Sequence, residues 1–396
     1  MFETLSQDVI QRYLRYLTAA PKQQYLSTNF LSTFFEKEFL QTGNLLSAPL
    51  HIVMKVTSIC NLNCAHCSEK TSFRNELPYM NNWVEIIDRL ADMGVICVSL
   101  TGGEPLLHLQ IKDIIRKCKE KNLIISLLTN GVLIDKEFAQ FLSQIFDSRT
   151  DIVKISIDNV GEEYEAIRNG ALFSQLKEAV ALLKQYGINI QATMVVNSAN
   201  YRHMLDVYRF CVENGISSIR YMPIFEHPNT NLAYVSDADM LLEFDKVLIT
   251  HFDANNSISI ISDPLSTPFA LVDWLQRVHP EWIRGIPIGN YICPAGIVSS
   301  EIDTSGYVYP CSYLNMNEFV IGKITDADFS TKWVNSQKWS QIRNRVHKND
   351  VCDSCTQKDH CLGGCPASSL YRFGSFGKGD ANCPYTREGG FCYETK

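Results

Sequence analysis

From His51 to about Pro223 the apolar positions switch period in a regular rhythm. Short β-rich runs (His51–Val56, Ile96–Leu100, Leu123–Leu128, Ile152–Ile157, Ile188–Val196 and Ser218–Met222) alternate with longer stretches of helical spacing and mixed charge. The helical stretches are Trp83–Met93, Ile111–Lys121, Phe138–Ile145, Phe173–Tyr186 and Met204–Asn214. Such alternation predicts βαβ units on a parallel sheet. Six units fall short of the eight of a closed barrel, which leaves an α/β fold built as an open, partial (β/α)6 TIM-like barrel or a doubly wound sheet. In either, functional residues gather where strands end and loops begin.

The flanks read differently. Residues 1–49 place Val9-Ile10, Tyr13-Leu14 and Leu17 at helical spacing, then Phe30-Leu31, Phe34-Phe35 and Phe39-Leu40 after Pro21. They predict an N-terminal helical extension packed on the next domain, with a substrate-docking arm as the alternative. Residues 224–290, punctuated by Pro228, Pro264, Pro268, Pro280 and Pro287, predict a linker region with one or two helices, including Met240–Thr250. From 291 to 396 short segments, glycines and cysteines predict a small domain held by metal rather than by a core.

Composition changes the picture in two places. The 396 residues carry a net charge of -7, which argues against nucleic acid as a partner. No basic segment followed by an apolar core stands at Met1, and no apolar run reaches the roughly 18 residues of a membrane span, so the expectation is a cytoplasmic protein without membrane contact. The 14 cysteines, in a reducing compartment, predict metal ligands or catalytic groups rather than disulfides. Three lie between Cys60 and Cys67 and eight between Cys293 and Cys392, while Cys97, Cys118 and Cys211 stand singly as buried small hydrophobes.

Cys60, Cys64 and Cys67 follow the first strand, at the functional end of the sheet. Structural zinc and electron-transfer clusters take four protein ligands, so three thiolates can hold a cubane with one iron open to an outside ligand. Half a zinc site or three unrelated core cysteines are the plain alternatives. The second strand runs into Thr101-Gly102-Gly103-Glu104-Pro105, where two glycines let backbone approach a ligand and Glu104 offers a carboxylate. An ordinary strand-to-helix turn would look the same.

Cys60-x3-Cys64-x2-Cys67 followed by Gly102-Gly103-Glu104-Pro105 resembles the radical S-adenosylmethionine (radical SAM) superfamily over residues 50–223. The resemblance implies that the three thiolates bind a 4Fe–4S cluster, whose open iron is chelated by the methionine end of SAM. The Gly-Gly-Glu-Pro turn would hold the methionine amino group. By carry-over, His66 stands near the adenine, Asn130 ends the third strand, Ser156 and Asp158 lie near the carboxylate and ribose, Arg168 pairs with the SAM carboxylate, and Val196 joins the adenine pocket. A solvated helix charge is the alternative for Arg168. The implied chemistry is one-electron cleavage of SAM to a 5′-deoxyadenosyl radical that abstracts hydrogen from a C–H bond. It implies oxygen sensitivity and an electron donor of the flavodoxin or ferredoxin type.

The spacing Cys293-x12-Gly306-x4-Cys311, then Cys352-x2-Cys355-x5-Cys361-x3-Cys365 and Cys383, resembles the SPASM auxiliary-cluster domain over residues 291–396. Two zinc sites are the alternative. The resemblance implies two auxiliary 4Fe–4S clusters, three in all with the SAM-binding one. Cys352, Cys355, Cys361 and Cys383 would hold one, and Cys293, Cys311 and Cys365 the other, closed by Cys392 or left with an open iron. Where sulfatase-maturing relatives carry an aspartate base after the second SPASM cysteine, this chain has Ser312, which argues against that reaction and leaves the catalytic base unassigned. The expected substrate is a ribosomally made peptide, which would be crosslinked, epimerised or oxidised. The alternatives are a small molecule such as an aminocyclitol or sugar, and a non-catalytic iron–sulfur or zinc scaffold.

Overall fold

Parity along the first strand, β1 (His51–Thr57), sets the two faces of the sheet. Ile52, Met54 and Val56 are fully buried on one side, and His51, Val53 and Lys55 point to the other and are half-buried. The computed structural model describes residues 45–67, 82–225, 232–254, 257–262, 274–283, 293–344, 352–353, 355, 361, 363–381 and 383. The N-terminal extension up to residue 44 therefore lies outside the described residues.

Five more strands follow in parallel: β2 (Cys97–Gly102), β3 (Ile124–Thr129), β4 (Ile152–Ser156), β5 (Ile190–Val196) and β6 (Ser218–Pro223). Between them run α1 (Trp83–Asp92), α2 (Ile111–Glu120), α3 (Lys136–Ile145), α4 (Gly161–Ile167), α5 (Phe173–Gln185) and α6 (Met204–Glu213). The α/β fold with a mainly parallel sheet is as expected, and the expected elements sit within about two residues of their predicted bounds. The seven-residue α4 is additional.

The helices form where their apolar spacing demands. Trp83, Ile86, Ile87 and Leu90 make one stripe on α1 and are buried against the sheet, as are Leu176, Ala179, Val180 and Leu183 of α5. Each fully buried Leu or Ile in this layer contributes about 1.5–3 kcal/mol. Asp135 caps α3 by accepting a hydrogen bond from the Phe138 amide at 2.7 Å. Cys118 and Cys211 belong to this apolar layer. Cys97 instead shares its face with Ser99, the face away from the helices.

The sheet does not stop at residues 50 and 223. Among the described residues it has nine strands, in the order β7-β6-β5-β4-β3-β2-β1-β8-β9. β7 (Ser259–Ser262) comes from the region read as a linker and extends the β6 edge, after helix α7 (Asp237–Asp253). β8 (Ser299–Ile302) pairs in parallel with β1, and β9 (Val308–Tyr309) returns antiparallel to β8. The cysteine-rich region is thus built onto the main sheet.

That region also has an apolar core of its own in its first half. Leu314, Ile324, Phe329, Trp333, Trp339 and Ile342 are fully buried, and the two indoles meet edge to face at 5.2 Å. Trp339 donates its ring N–H to the Phe319 carbonyl at 2.7 Å, and Trp333 donates to the Leu46 carbonyl at 3.0 Å. Support by metal rather than by a core fails for residues 293–344, because three large aromatic rings and their neighbours supply the burial.

The face away from the helices is polar. His51, Lys55, Ser99, Ser126, Lys154, Gln191, Thr193, Arg220 and Glu301 all lie on it by strand register. A closed eight-stranded barrel fills this space with bulky branched side chains. Here it is a polar lumen that leads up to the loops at the strand ends.

Candidate functional site

The chain leaves β1 through a register shift between Lys55 and Thr57 and enters the three-cysteine loop. Thr57 Oγ1 accepts a hydrogen bond from the Ile59 amide at 3.1 Å and starts the turn. The Gly102-Gly103 turn then locks on: Gly103 N–H donates to Thr57 O and Glu104 N–H to Ile59 O, each at 2.8 Å. A β-carbon on Gly102 would stand 2.1 Å from Thr57 O, and one on Gly103 2.1 Å from Ile59 O. The φ of Gly102 is +143° as well. The glycines are thus required first by the cysteine loop's own backbone, a refinement of the expected close approach to a ligand.

Glu104 is buried beside this turn. Its carboxylate accepts hydrogen bonds from Thr129 Oγ1 at 2.7 Å, the Asn130 amide at 2.8 Å and the Leu106 amide at 3.2 Å. Burial raises its carboxyl above the usual range, against the pull of those three donors. Asn130 Nδ2 reaches across to Asn61 Oδ1 at 2.8 Å and so ties the end of β3 to the cysteine loop. On its other side the loop is held by the chain after α4: Asn63 N–H donates to Asn169 O at 3.0 Å and Ala65 N–H to Ile167 O at 2.9 Å.

Arg168, at the end of α4, is buried with its counter-ion. Nε and Nη2 both lie 2.6 Å from Asp158 Oδ2, and Nη1 stands 3.9 Å from Cys64 Sγ. His66 Nε2 is 3.5 Å from the same carboxylate oxygen, and the Val195 amide donates to Asp158 Oδ1 at 2.8 Å. Burial works to raise the Asp158 carboxyl, but Arg168 and His66 outweigh it and hold it below its ordinary value. The solvated alternative for Arg168 is gone, because only 6% of it is exposed.

One cavity of about 270 Å³ collects Cys60, Cys64, His66, Cys67, Gly102, Gly103, Glu104, Asn130, Ser156 and Arg168. Three expected residues do not line it. Pro105 starts a buried 3₁₀ turn behind Glu104, and Asp158 stands behind Arg168. Val196 is turned into the helix-side core, and Val195, one residue earlier, faces the cavity. The sequence missed Phe225 and Tyr313, which also line the cavity and stack at 4.1 Å, with Tyr371 edge-on to Phe225 at 5.3 Å. Aromatic residues next to a strand end and next to Cys311 were the available signal.

Ser312 has a partner that changes its meaning. Its hydroxyl donates to Glu301, a fully buried carboxylate on β8 that is also 2.9 Å from Lys55 Nζ on β1. A carboxylate therefore stands next to Ser312, delivered from a different strand.

The other thiols fall into two neighbourhoods. Cys293 acts to raise the thiols of Cys311 and Cys365, and Cys311 that of Cys365, while Cys352 and Cys355 act likewise on Cys361, and Cys355 on Cys352. Burial is the largest cause in each set and pushes Cys311 and Cys361 up to about 12. Asp380, itself buried, stands between the sets. It accepts from the Cys365 amide at 2.9 Å and from Ser368 Oγ at 2.7 Å, and its carbonyl accepts from the Cys383 amide at 3.0 Å. Cys392 lies outside the described residues. Among the described residues no three His, Cys, Asp or Glu side chains are gathered tightly enough for a single metal ion. Donor sets made of thiols alone suit iron–sulfur clusters, which Cys thiolates hold. The first cavity likewise fits an amino acid on a three-thiolate cluster, since it offers Glu104 and Arg168 to opposite charges.

Residues 54–211 match the model of the radical SAM superfamily, and residues 293–356 that of the iron–sulfur cluster-binding SPASM domain. The chain belongs to the radical SAM enzymes that carry a C-terminal SPASM domain. It is 26% identical to the AdoMet-dependent heme synthase of Oleidesulfovibrio alaskensis over 84% of this chain and 87% of that one. It is 27% identical to the mycofactocin maturase MftC of Mycobacterium ulcerans, over 82% of this chain and 85% of that one. Streptococcus suis SuiB bound to its precursor peptide SuiA shares the fold, with a TM-score of 0.71 at 20% identity over 96% of this chain and 88% of that one. Among the described residues no helix is long and apolar enough to cross a membrane.

Proposed function

We propose that the protein reductively cleaves SAM and uses the 5′-deoxyadenosyl radical to take hydrogen from a C–H bond of a ribosomally made peptide, leaving a crosslink, an epimer or an oxidised side chain. The observation that carries this is the cavity in which, among the described residues, three thiols and no fourth meet Glu104 and Arg168. Cys60, Cys64 and Cys67 would hold the SAM-binding 4Fe–4S cluster. Gly102, Gly103 and Glu104 shape the methionine end, while Asp158, with His66 3.5 Å from the same carboxylate oxygen, keeps Arg168 charged and aimed. Cys352, Cys355, Cys361 and Cys383 would hold one auxiliary cluster. Cys293, Cys311 and Cys365 would hold the other, with Cys392 or an open iron. A flavodoxin- or ferredoxin-type donor and a reducing cytoplasmic setting belong to the same reading.

The peptide is supported by the maturase MftC and by the precursor-bound SuiB structure. A small-molecule substrate is the second reading, favoured by the similarity to a heme synthase. Anaerobically reconstituted enzyme is expected to bind about twelve irons per chain and to release 5′-deoxyadenosine from SAM. It should change the mass of the peptide encoded by a neighbouring short reading frame. Zinc content without SAM cleavage would leave a non-catalytic scaffold. SAM cleavage with an unchanged peptide and turnover of a small molecule would decide for the second reading.

A further inference from the structure

The lumen below the cavity has its own charge pattern. Thr101, Leu128, Ser156 and Val195 line the cavity, and the residues two steps earlier on the same strands face the lumen beneath it. On β4 that residue is Lys154, two before Ser156. Arg220 of β6 pairs in register with Thr193 of β5, itself paired with Ser156, so it shares this face one step above the level of Lys154. Both cations thus lie on the inward face, Lys154 on β4 and Arg220 on β6 with β5 between them, below the loops where the radical chemistry would occur.

The other charges of this face are matched. Lys55 has Glu301 at 2.9 Å. His51 is held between Ser99 Oγ at 2.8 Å and Ser299 Oγ at 3.0 Å, and burial pushes its pKa down to about 3, so it is neutral. Lys154 differs: among the described residues no carboxylate pairs with it, and its nearest charged influence is the like charge of Arg220. Enclosing a cation without a counter-ion is unfavourable, and folded proteins avoid it unless an anion arrives. Burial first, and Arg220 second, lower the Lys154 pKa to about 8. Lys154 is half-buried rather than sealed off, so an incoming group can reach it.

We infer that Lys154, flanked by Arg220, is an anion site in the barrel lumen that receives a carboxylate of the substrate and fixes its depth below the SAM cavity. The inference rests on the proposed radical SAM reading for what happens above it. It selects substrates that carry a carboxylate about one strand layer from the reacting carbon, either a peptide acid or a small carboxylic acid.

The test uses reconstituted holoenzyme with two probes, glutarate for a free acid and acetyl-Gly-Gly for a peptide terminus, each against its amide. The expected result is a rise in Tm of about 2 °C or more with a carboxylate and none with the amide. Lys154→Met should abolish the response while being no less stable than the parent without probe, and Lys154→Arg should restore it. The probe that acts tells the free acid from the peptide terminus. The inference is overturned if neither carboxylate stabilises the parent, if Lys154→Met responds as the parent does, or if that variant is markedly less stable, which would make Lys154 a structural residue. None of these readouts needs SAM cleavage. A carboxylate response in a protein that releases no 5′-deoxyadenosine would sink the function and leave the site. The reverse pattern would sink only the site.

Discussion

The two ends of the chain gather thiols in different ways. The loop from Cys60 to Cys67 is held on both sides by backbone hydrogen bonds, to the turn after β2 at Gly103 and Glu104 and to the end of α4 at Ile167 and Asn169. Among its described residues, the segment from Cys352 to Cys383 has one eight-residue helix, Pro366–Phe373, and a buried anchor, Asp380. The first is a site positioned by a fold. The second is proposed to hold auxiliary clusters, whose binding would help to position the chain, as in small metal-dependent domains.

Substitution of single thiols should separate the two most sharply. Cys64→Ala is expected to abolish 5′-deoxyadenosine release while iron falls by only about four per chain. Cys355→Ala should lose a comparable amount of iron but retain SAM cleavage. Equal loss of cleavage in both variants would mean that the two ends are not independent. Stripping iron anaerobically comes next. Amide exchange should speed up throughout 352–383 and stay slow in β1–β6, whose core needs no metal.

Asp158→Asn should destabilise the protein by roughly 3–5 kcal/mol, because Arg168 stays buried without its counter-ion, and should raise the KM for SAM. Urea unfolding and initial rates measure these. Its pH sign is fixed by the lowered Asp158 pKa. The stabilisation is full above the ordinary carboxyl range near 4 and is lost as pH falls through the lower folded value, so the variant should lack that part of the acid limb. Gly103→Ala has the smallest effect, about 1–3 kcal/mol, as the new methyl group displaces Ile59 O. It should weaken the SAM-site cluster and leave the auxiliary ones alone. If the auxiliary clusters also loosen, the loop is less fixed by the sheet than its hydrogen bonds indicate.

The six long strands were legible because each is a β-rich run of five or more residues set between stretches of helical spacing. Strands β8 and β9, of four and two residues, are too short to show a period and pair with partners far away in sequence. Helix α4 begins Gly161-Glu162-Glu163 and buries only Tyr164 and Ile167, so no stripe announces it. The thiol sites could be read because ligand spacing is local. Val196 was misplaced by one residue, which on a strand means the opposite face. The buried carboxylate near Ser312 and the unmatched charge of Lys154 could not be read, since both depend on which strands become neighbours.

The pairing of β8 with β1 has one more consequence. β1 would be an edge strand without it. Its free N–H and C=O groups would then invite pairing with other chains, and Lys55 would lose Glu301. A fragment ending before residue 293 would expose this edge at the strand that carries the Cys60 loop at its end. Such a fragment should aggregate through the strand that its cluster loop needs, so the two halves of the chain must be produced as one piece.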